Sequence, residues 1–210
     1  MSTHDPTAIL AGARIIPVLT IERAADAVPL ARALRGGGLL VIEVTLRTSA
    51  ALEAMRAITA EISDVVVGAG TVLDVADIAA AIGAGAKYLV SPGTPPALAA
   101  ALANAQVPVI PGCATASEAM ELAARGFKVL KFFPAESAGG IRFLNSVAAP
   151  LPKIKFCPTG GIDGKNVTTY LSLPNVVAVG GSWMAPKDAI TAGDFSRVTG
   201  LAREAAQLSR

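Results

Sequence analysis

The stretch Lys128-Val129-Leu130-Lys131-Phe132-Phe133-Pro134-Ala135-Glu136 reads as a short apolar strand with a lysine in its middle. Successive strand side chains point to opposite faces, so Val129, Lys131 and Phe133 share one face and Leu130 and Phe132 the other. Parallel sheets are covered on both faces, which leaves Lys131 no route to water unless its face borders a pocket. A desolvated ammonium is costly, and shedding the proton is the cheapest response. The neutral amine is a nucleophile toward carbonyl carbon. The same strand also fits a structural lysine paired with a carboxylate, and by itself it leaves both readings open.

Outward from this strand, β-branched runs recur at even spacing: 15–19, 39–46, 65–69, 88–90, 107–110, 129–133, 154–157 and 176–179. Ala/Leu-rich segments at 21–35, 49–60, 75–82, 96–104, 116–125 and 140–148 separate them. Their apolar residues fall three and four apart, the helical interval. Asp74 precedes one helix, and Thr115 with Glu118 three residues on opens another as a capping box; Gly36-Gly37-Gly38 and Gly126 end two of them. Strands alternating with helices call for a parallel sheet with right-handed crossovers. Eight such units predict an α/β fold of the (β/α)₈ TIM-barrel type, in a single domain over residues 1–210. Residues 1–14 are expected as a helical extension covering the barrel bottom, and 195–208 as the last outer helix. An open doubly wound sheet is the alternative, but its first strand is usually followed by a Gly-x-Gly-x-x-Gly turn. Here that strand runs into Thr20-Ile21-Glu22-Arg23.

Composition narrows the function classes. Apolar residues make up 52% and aromatics only 4%, so the core must be built from Ala, Val, Leu and Ile. A net charge of +2 without a dense Lys/Arg cluster argues against a nucleic-acid surface. The opening Met-Ser-Thr-His-Asp-Pro lacks a basic region followed by an apolar one, and no apolar run approaches the roughly 20 residues of a membrane span. Two cysteines, Cys113 and Cys157, are too few for a disulfide framework and are not spaced as metal ligands. The expectation is a cytoplasmic protein with reduced thiols. The only histidine, His4, leaves a His-bound catalytic metal almost nothing to hold it.

In such a barrel chemistry gathers where strands end. Within Ile42-Glu43-Val44-Thr45-Leu46-Arg47, the residues Glu43, Thr45 and Arg47 share a face that should look inward, opposite Ile42, Val44 and Leu46. They form either an ion pair, of Glu43 with Arg47 or Lys131, or an acid/base group beside a carboxylate-binding arginine. Gly68-Ala69-Gly70-Thr71 combines glycines that let backbone approach a ligand with a hydroxyl. Ser91-Pro92-Gly93 and Pro111-Gly112-Cys113 read singly as ordinary turns, with Cys113 a small residue near the pocket. Pro158-Thr159-Gly160-Gly161-Ile162 and Gly180-Gly181-Ser182 end the seventh and eighth strands. There these barrels hold phosphate on bare backbone N–H groups, and Thr159 and Ser182 add hydroxyls.

These stretches together resemble the 2-keto-3-deoxy-6-phosphogluconate aldolases of the Entner–Doudoroff pathway, metal-free Schiff-base enzymes with a (β/α)₈ fold. The resemblance covers nearly the whole chain. It rests on Ile42-Glu43-Val44-Thr45-Leu46-Arg47-Thr48, Val67-Gly68-Ala69-Gly70-Thr71-Val72-Leu73, Ser91-Pro92-Gly93, Lys131-Phe132-Phe133-Pro134-Ala135-Glu136, Phe156-Cys157-Pro158-Thr159-Gly160-Gly161-Ile162 and Gly180-Gly181-Ser182-Trp183. It implies Lys131 as the Schiff-base amine and Glu43 as the proton shuttle. Arg47 and Thr71 would hold the pyruvate carboxylate, with Pro92, Phe133 and Thr159 lining the pocket. Gly160, Gly161, Gly181 and Ser182 would bind phosphate. It implies no cofactor, a phosphorylated 2-keto-3-deoxy sugar acid as substrate, pyruvate as a product, and a homotrimer. Cys113 departs from the family pattern, which bears on pocket shape and leaves the chemistry intact.

On this reading Glu43 should stand near enough to Lys131 to relay a proton without forming a tight ion pair. A phosphosugar isomerase or epimerase on the same barrel is a rival, needing acid/base groups but not Lys131. A noncatalytic phosphosugar-binding barrel is another. The galactonate-series epimer and 4-hydroxy-2-oxoglutarate stay open as substrates.

Overall fold

Residues 5–208 are described in the computed structural model; His4 and the first residues of the expected N-terminal extension lie outside them. The strands are Ile15–Leu19 (β1), Val41–Thr45 (β2), Val66–Gly70 (β3), Tyr88–Val90 (β4), Val109–Ile110 (β5), Gly112–Cys113 (β6), Val129–Phe132 (β7), Lys155–Pro158 (β8) and Val179–Gly181 (β9). The helices are Thr7–Leu10 (α1), Ala27–Gly36 (α2), Ala51–Glu61 (α3), Val75–Gly83 (α4), Pro96–Leu102 (α5), Ala116–Ala124 (α6), Gly140–Ala148 (α7), Val167–Leu171 (α8), Lys187–Ala192 (α9) and Phe195–Leu208 (α10).

Every strand pair is parallel, in the orders β5-β4-β3-β2-β1-β9 and β6-β7-β8. Only Pro111 separates β5 from β6. Proline has no N–H for the ladder, and side chains substitute for it. Ser91 Oγ accepts from the Gly112 N–H at 3.1 Å, and Thr94 Oγ1 donates to the Gly112 carbonyl at 2.8 Å. The Pro111 carbonyl still accepts from the Lys131 N–H at 2.9 Å. On the other side, single bridges join Phe156 to Val176 and Thr159 to Gly180. The result is an α/β fold on a parallel, curled sheet.

Alternation along the strands divides the core in two. Ile42 and Val44 of β2, and Leu130 and Phe132 of β7, pack outward against the helices. Val41 and Val129 point the other way, into a smaller cluster with Leu10, Ile16, Tyr88, Val90, Ile110 and Cys157. Of the expected 1–14 extension, the described part contains one four-residue helical turn, and its Leu10 packs into that inner cluster.

The helix ends follow local chemistry. Asp74 caps α4 by accepting from the Asp77 N–H at 2.9 Å, and Thr115 and Glu118 form the reciprocal capping box of α6. The 21–35 segment does not form one helix. A 3₁₀ turn over Ala24–Asp26 precedes α2, whose third residue is Pro29. A missing N–H is tolerated only in a helix's first turn, so α2 cannot begin much before Ala27. The five-residue α8 and six-residue α9 were not anticipated, being too short to display a period. The last strand lies at Val179–Gly181 and not at 176–179: Val176 makes only an isolated bridge, while Val179, Gly180 and Gly181 pair with β1.

Gly68 illustrates how tightly the inside of the curl is filled. A Cβ there would lie 2.2 Å from Cζ of the fully buried Tyr88 ring. Gly68→Ala is therefore expected to cost about 1–3 kcal/mol through overpacking, read as a lower urea midpoint with an unchanged slope.

Candidate active site

Lys131 comes from β7 and Glu43 from β2, both on the inner face of the curled sheet. Lys131 Nζ donates to Glu43 Oε1 at 3.0 Å. The two residues are 2% and 4% exposed, so the pair is almost wholly desolvated. This corrects the expectation that Glu43 stands off from the amine. Two inward-facing ionisable groups without access to water pair with each other, because an unmatched buried charge costs several kcal/mol. The Phe133 ring lies 5.5 Å from Nζ and adds a cation–π contact.

Room for the carboxylate comes from β3. A Cβ on Gly70 would lie 2.0 Å from Glu43 Oε1, and one on Gly68 would enter the Tyr88 ring. These two glycines therefore make space for inward side chains and do not bring backbone to a ligand. Below the pair, the Tyr88 hydroxyl donates to the Ile42 carbonyl at 2.9 Å. Burial, and then the neighbouring Glu43, raise its pKa well above the ordinary phenol value, so it remains a neutral donor. Thr45 donates to the Leu19 carbonyl at 2.9 Å and meets the Thr20 hydroxyl at 3.2 Å.

A cavity of about 180 Å³ opens over the amine. Lys131, Arg47, Phe133, Thr159, Gly160, Gly161, Gly181 and Ser182 all line it. Glu43 lies behind Lys131, and Thr71 reaches the site through Arg47, whose Nε donates to Thr71 Oγ1 at 3.0 Å. Thr71 holds a left-handed φ of 60°, a strained conformation for a β-branched residue, and strain of this kind concentrates at functional sites. Arg47 makes no ion pair among the described residues, so its charge is available to an anion.

Pro92 is not among the lining residues. Its backbone abuts Gly112, where a Cβ would lie 2.4 Å from the Pro92 carbonyl. Cys113 does not shape the cavity either: it pairs in register with the outward-facing Phe132 and packs on the helix side. Val18, Thr20 and Ile162 line the cavity and were not singled out from the sequence. Alternation from the inward Ile16 would have pointed to Val18 and Thr20. A larger cavity of about 760 Å³ lies elsewhere, between the α1–β1 and α2–β2 connections and α10. It contains no buried amine or carboxylate, so the chemistry belongs to the smaller one.

At the rim, Gly160 and Gly161 take φ of 103° and 76°. The loop's carbonyls are engaged elsewhere: Thr159 O by the Ala135 N–H at 2.8 Å, Gly160 O by the Glu136 N–H at 3.1 Å, and Gly161 O by Asn166 Nδ2 at 3.0 Å. The N–H groups of Gly161 and Ile162 donate to no other group among the described residues. Gly181, on the facing strand end, leaves room for the Trp183 ring, which a Cβ would approach to 1.9 Å. Thr159 is 6% exposed and its hydroxyl has no hydrogen-bond partner among the described residues. A buried amine, an acid/base group, a free guanidinium and a rim of backbone donors suit covalent chemistry on an anionic carbonyl compound.

The family model for KDPG and KHG aldolase matches residues 7–201. The 2-dehydro-3-deoxy-phosphogluconate aldolase of Dickeya dadantii is 47% identical over 197 residues, covering 94% of this chain and 92% of its own length. The KHG/KDPG aldolase of Escherichia coli K12 is 46% identical over 199 residues, covering 95% and 93%. Among solved structures, KDPG aldolase from Legionella pneumophila, with pyruvate captured at low pH as a covalent carbinolamine intermediate, superposes with a TM-score of 0.92. It is 44% identical, over 95% of this chain and 97% of the other.

The two thiols give a pH prediction. Burial pushes Cys157 up to about 12 against the opposing field of Lys131, its partner across β7–β8, and pushes Cys113 up to about 12 with help from Glu118. Well below pH 9 both are mostly protonated whether the chain is folded or not. Above it the unfolded chain ionises its thiols first, so stability falls as pH rises from 9 toward 12. The native protein should give no thiolate titration with Ellman's reagent at pH 8, and two equivalents once denatured.

Proposed function

Because the chain belongs to the KDPG and KHG aldolase family, we propose that the Lys131–Glu43 pair is the reaction centre through which it works. It is a Schiff-base aldolase, a carbon–carbon lyase that cleaves 2-keto-3-deoxy-6-phosphogluconate to pyruvate and glyceraldehyde 3-phosphate. We read 4-hydroxy-2-oxoglutarate, split to pyruvate and glyoxylate, as a second substrate. The observation that carries the assignment is the desolvated Lys131 amine, 3.0 Å from Glu43 at the floor of a cavity with a cationic rim.

The proton balance follows from that contact. Glu43 takes a proton from the ammonium, and the neutral Nζ adds to the C2 ketone to give a carbinolamine. Loss of water leaves an iminium ion at C2, next to C3, which accepts the electron pair as the C3–C4 bond breaks. Glu43, having returned its proton during dehydration, removes the C4 hydroxyl proton, directly or through a water, and the aldehyde departs. The resulting enamine takes that proton at C3, and water then releases pyruvate from Lys131. Arg47, steadied by Thr71, pairs with the C1 carboxylate, and its planar fork favours a two-point contact. Phe133 and Thr159 bound the pocket, and the Gly160–Gly161 loop with Gly181 and Ser182 receives the phosphate.

We read the curled sheet as a closed (β/α)₈ barrel in one domain. The single bridges Phe156–Val176 and Thr159–Gly180, between the last two strand segments, and the side-chain bonds across Pro111 support that reading. Among the described residues no helix is long and apolar enough to cross a membrane; a cytoplasmic location is consistent with a water-soluble phosphorylated substrate. Self-association as a homotrimer is supported by Leu73, Val75 and Met120, which expose 58%, 60% and 57% of their surface and would gain by burial against other copies.

Lys131→Arg should abolish turnover, since a guanidinium keeps its charge and cannot form an imine. Borohydride reduction with pyruvate, followed by intact mass, should give a three-carbon adduct on Lys131 in the parent chain and none in the variant. Glu43→Gln should lower kcat by about 10²–10⁴-fold, the worth of a positioned acid/base group.

A further inference from the structure

Beneath the Gly160–Gly161 loop lies a layer of side chains that touches neither the amine nor the carboxylate-binding arginine. Resting on the phosphate assignment above, we propose that Glu136, Tyr170 and Asn166 are positioning residues for the phosphate. By fixing this loop they set the preference for phosphorylated over unphosphorylated substrate.

The contacts are specific. The Glu136 side chain packs directly under Gly161, where a Cβ would lie 2.6 Å from Glu136 Cγ. Its backbone N–H holds the Gly160 carbonyl at 3.1 Å. Its carboxylate accepts a hydrogen bond from the Tyr170 hydroxyl. Tyr170 is fully buried, and burial followed by Glu136 raises its pKa, which keeps the hydroxyl a donor. Asn166 clamps the far side of the turn, its Nδ2 donating to the Gly161 carbonyl at 3.0 Å and its Oδ1 accepting from the Asp163 N–H at 2.9 Å.

The consequence is directional. With the Thr159, Gly160 and Gly161 carbonyls all held by this layer and by Ala135, the loop is left with backbone N–H groups, those of Gly161 and Ile162 among them, that donate to no other group among the described residues. A rim of backbone N–H groups attracts an anion, whereas a single flipped peptide would present a carbonyl and repel it. Glu136 itself carries a charge that repels phosphate, so it serves as a support and not as a ligand. Tyr170 and Asn166 belong to α8 and its first flanking residue, so one short helix supplies two of the three supports.

The test compares two substrates, one with a phosphate and one without. Glu136→Ala, Tyr170→Phe and Asn166→Ala should each raise KM for 2-keto-3-deoxy-6-phosphogluconate by about tenfold. Each should weaken inhibition by inorganic phosphate in parallel. KM for 4-hydroxy-2-oxoglutarate and the yield of the borohydride-trapped pyruvate adduct should not change. Glu136→Gln, which keeps the length and the acceptor for Tyr170, should restore parent behaviour. Equal losses on both substrates, no change in KM, or failure of the Gln variant to restore would overturn the proposal. If the parent chain is itself insensitive to inorganic phosphate, the phosphate assignment falls, and this inference with it. Asn166→Ala alters a contact near the surface, so it remains informative if Tyr170→Phe does not fold.

Discussion

The constraint on which the rest of this structure depends is the placing of an ammonium and a carboxylate inside a curled sheet with almost no water. Neither charge could sit there alone, since removing one partner of a buried pair costs about 3–5 kcal/mol. Replacing both with apolar side chains is often neutral or stabilising, so burial by itself gives little reason to keep the pair. Imine chemistry does give one: a carboxylate in contact with the amine can take its proton at the moment the nucleophile is needed. The surroundings are shaped accordingly, with Gly70 leaving space for Glu43 and with Tyr88 and Thr45 spending their donors on backbone carbonyls.

The inside of the curl is divided along the strands. Towards their N-terminal ends Leu10, Ile16, Val41, Tyr88 and Val129 form a packed apolar plug. Towards their C-terminal ends the same face carries Glu43, Thr45 and Lys131. The plug excludes water from below, which strengthens the electrostatics above it. The charges are also graded: the amine lies on the cavity floor with the acid behind it, while Arg47 and the loop N–H groups stand at the rim. On the proposed function, a substrate with an acid at one end and a phosphate at the other is held at both while its ketone meets Lys131.

Much of this was legible in the sequence because it depends on local rules. Alternation alone assigned Glu43, Thr45 and Arg47 to one face and Ile42 and Val44 to the other, and capping chemistry placed the starts of α4 and α6. Where local signals were weak the reading faltered. The five-residue α8 shows no period, yet it carries Tyr170 and follows Asn166, which hold the glycine loop. Val176 and Val177 attracted a strand assignment that belongs to Val179 and the glycines after it, since the strand is defined by pairing with β1 and not by side-chain preference.

What the sequence determined by itself was the kind of element at most positions, the face on which each polar side chain stands, and the six motifs that mark the family. Only tertiary structure decided the distances. Glu43 and Lys131 are 88 residues apart in the chain, and nothing local fixes whether they stand off or touch. The curl of the sheet brings β2 and β7 to face each other across its interior, and the exclusion of water makes their side chains meet at 3.0 Å. The glycines of β3 were ambiguous for the same reason: a missing Cβ can admit a ligand or a neighbour, and only packing shows that here it admits Tyr88 and Glu43.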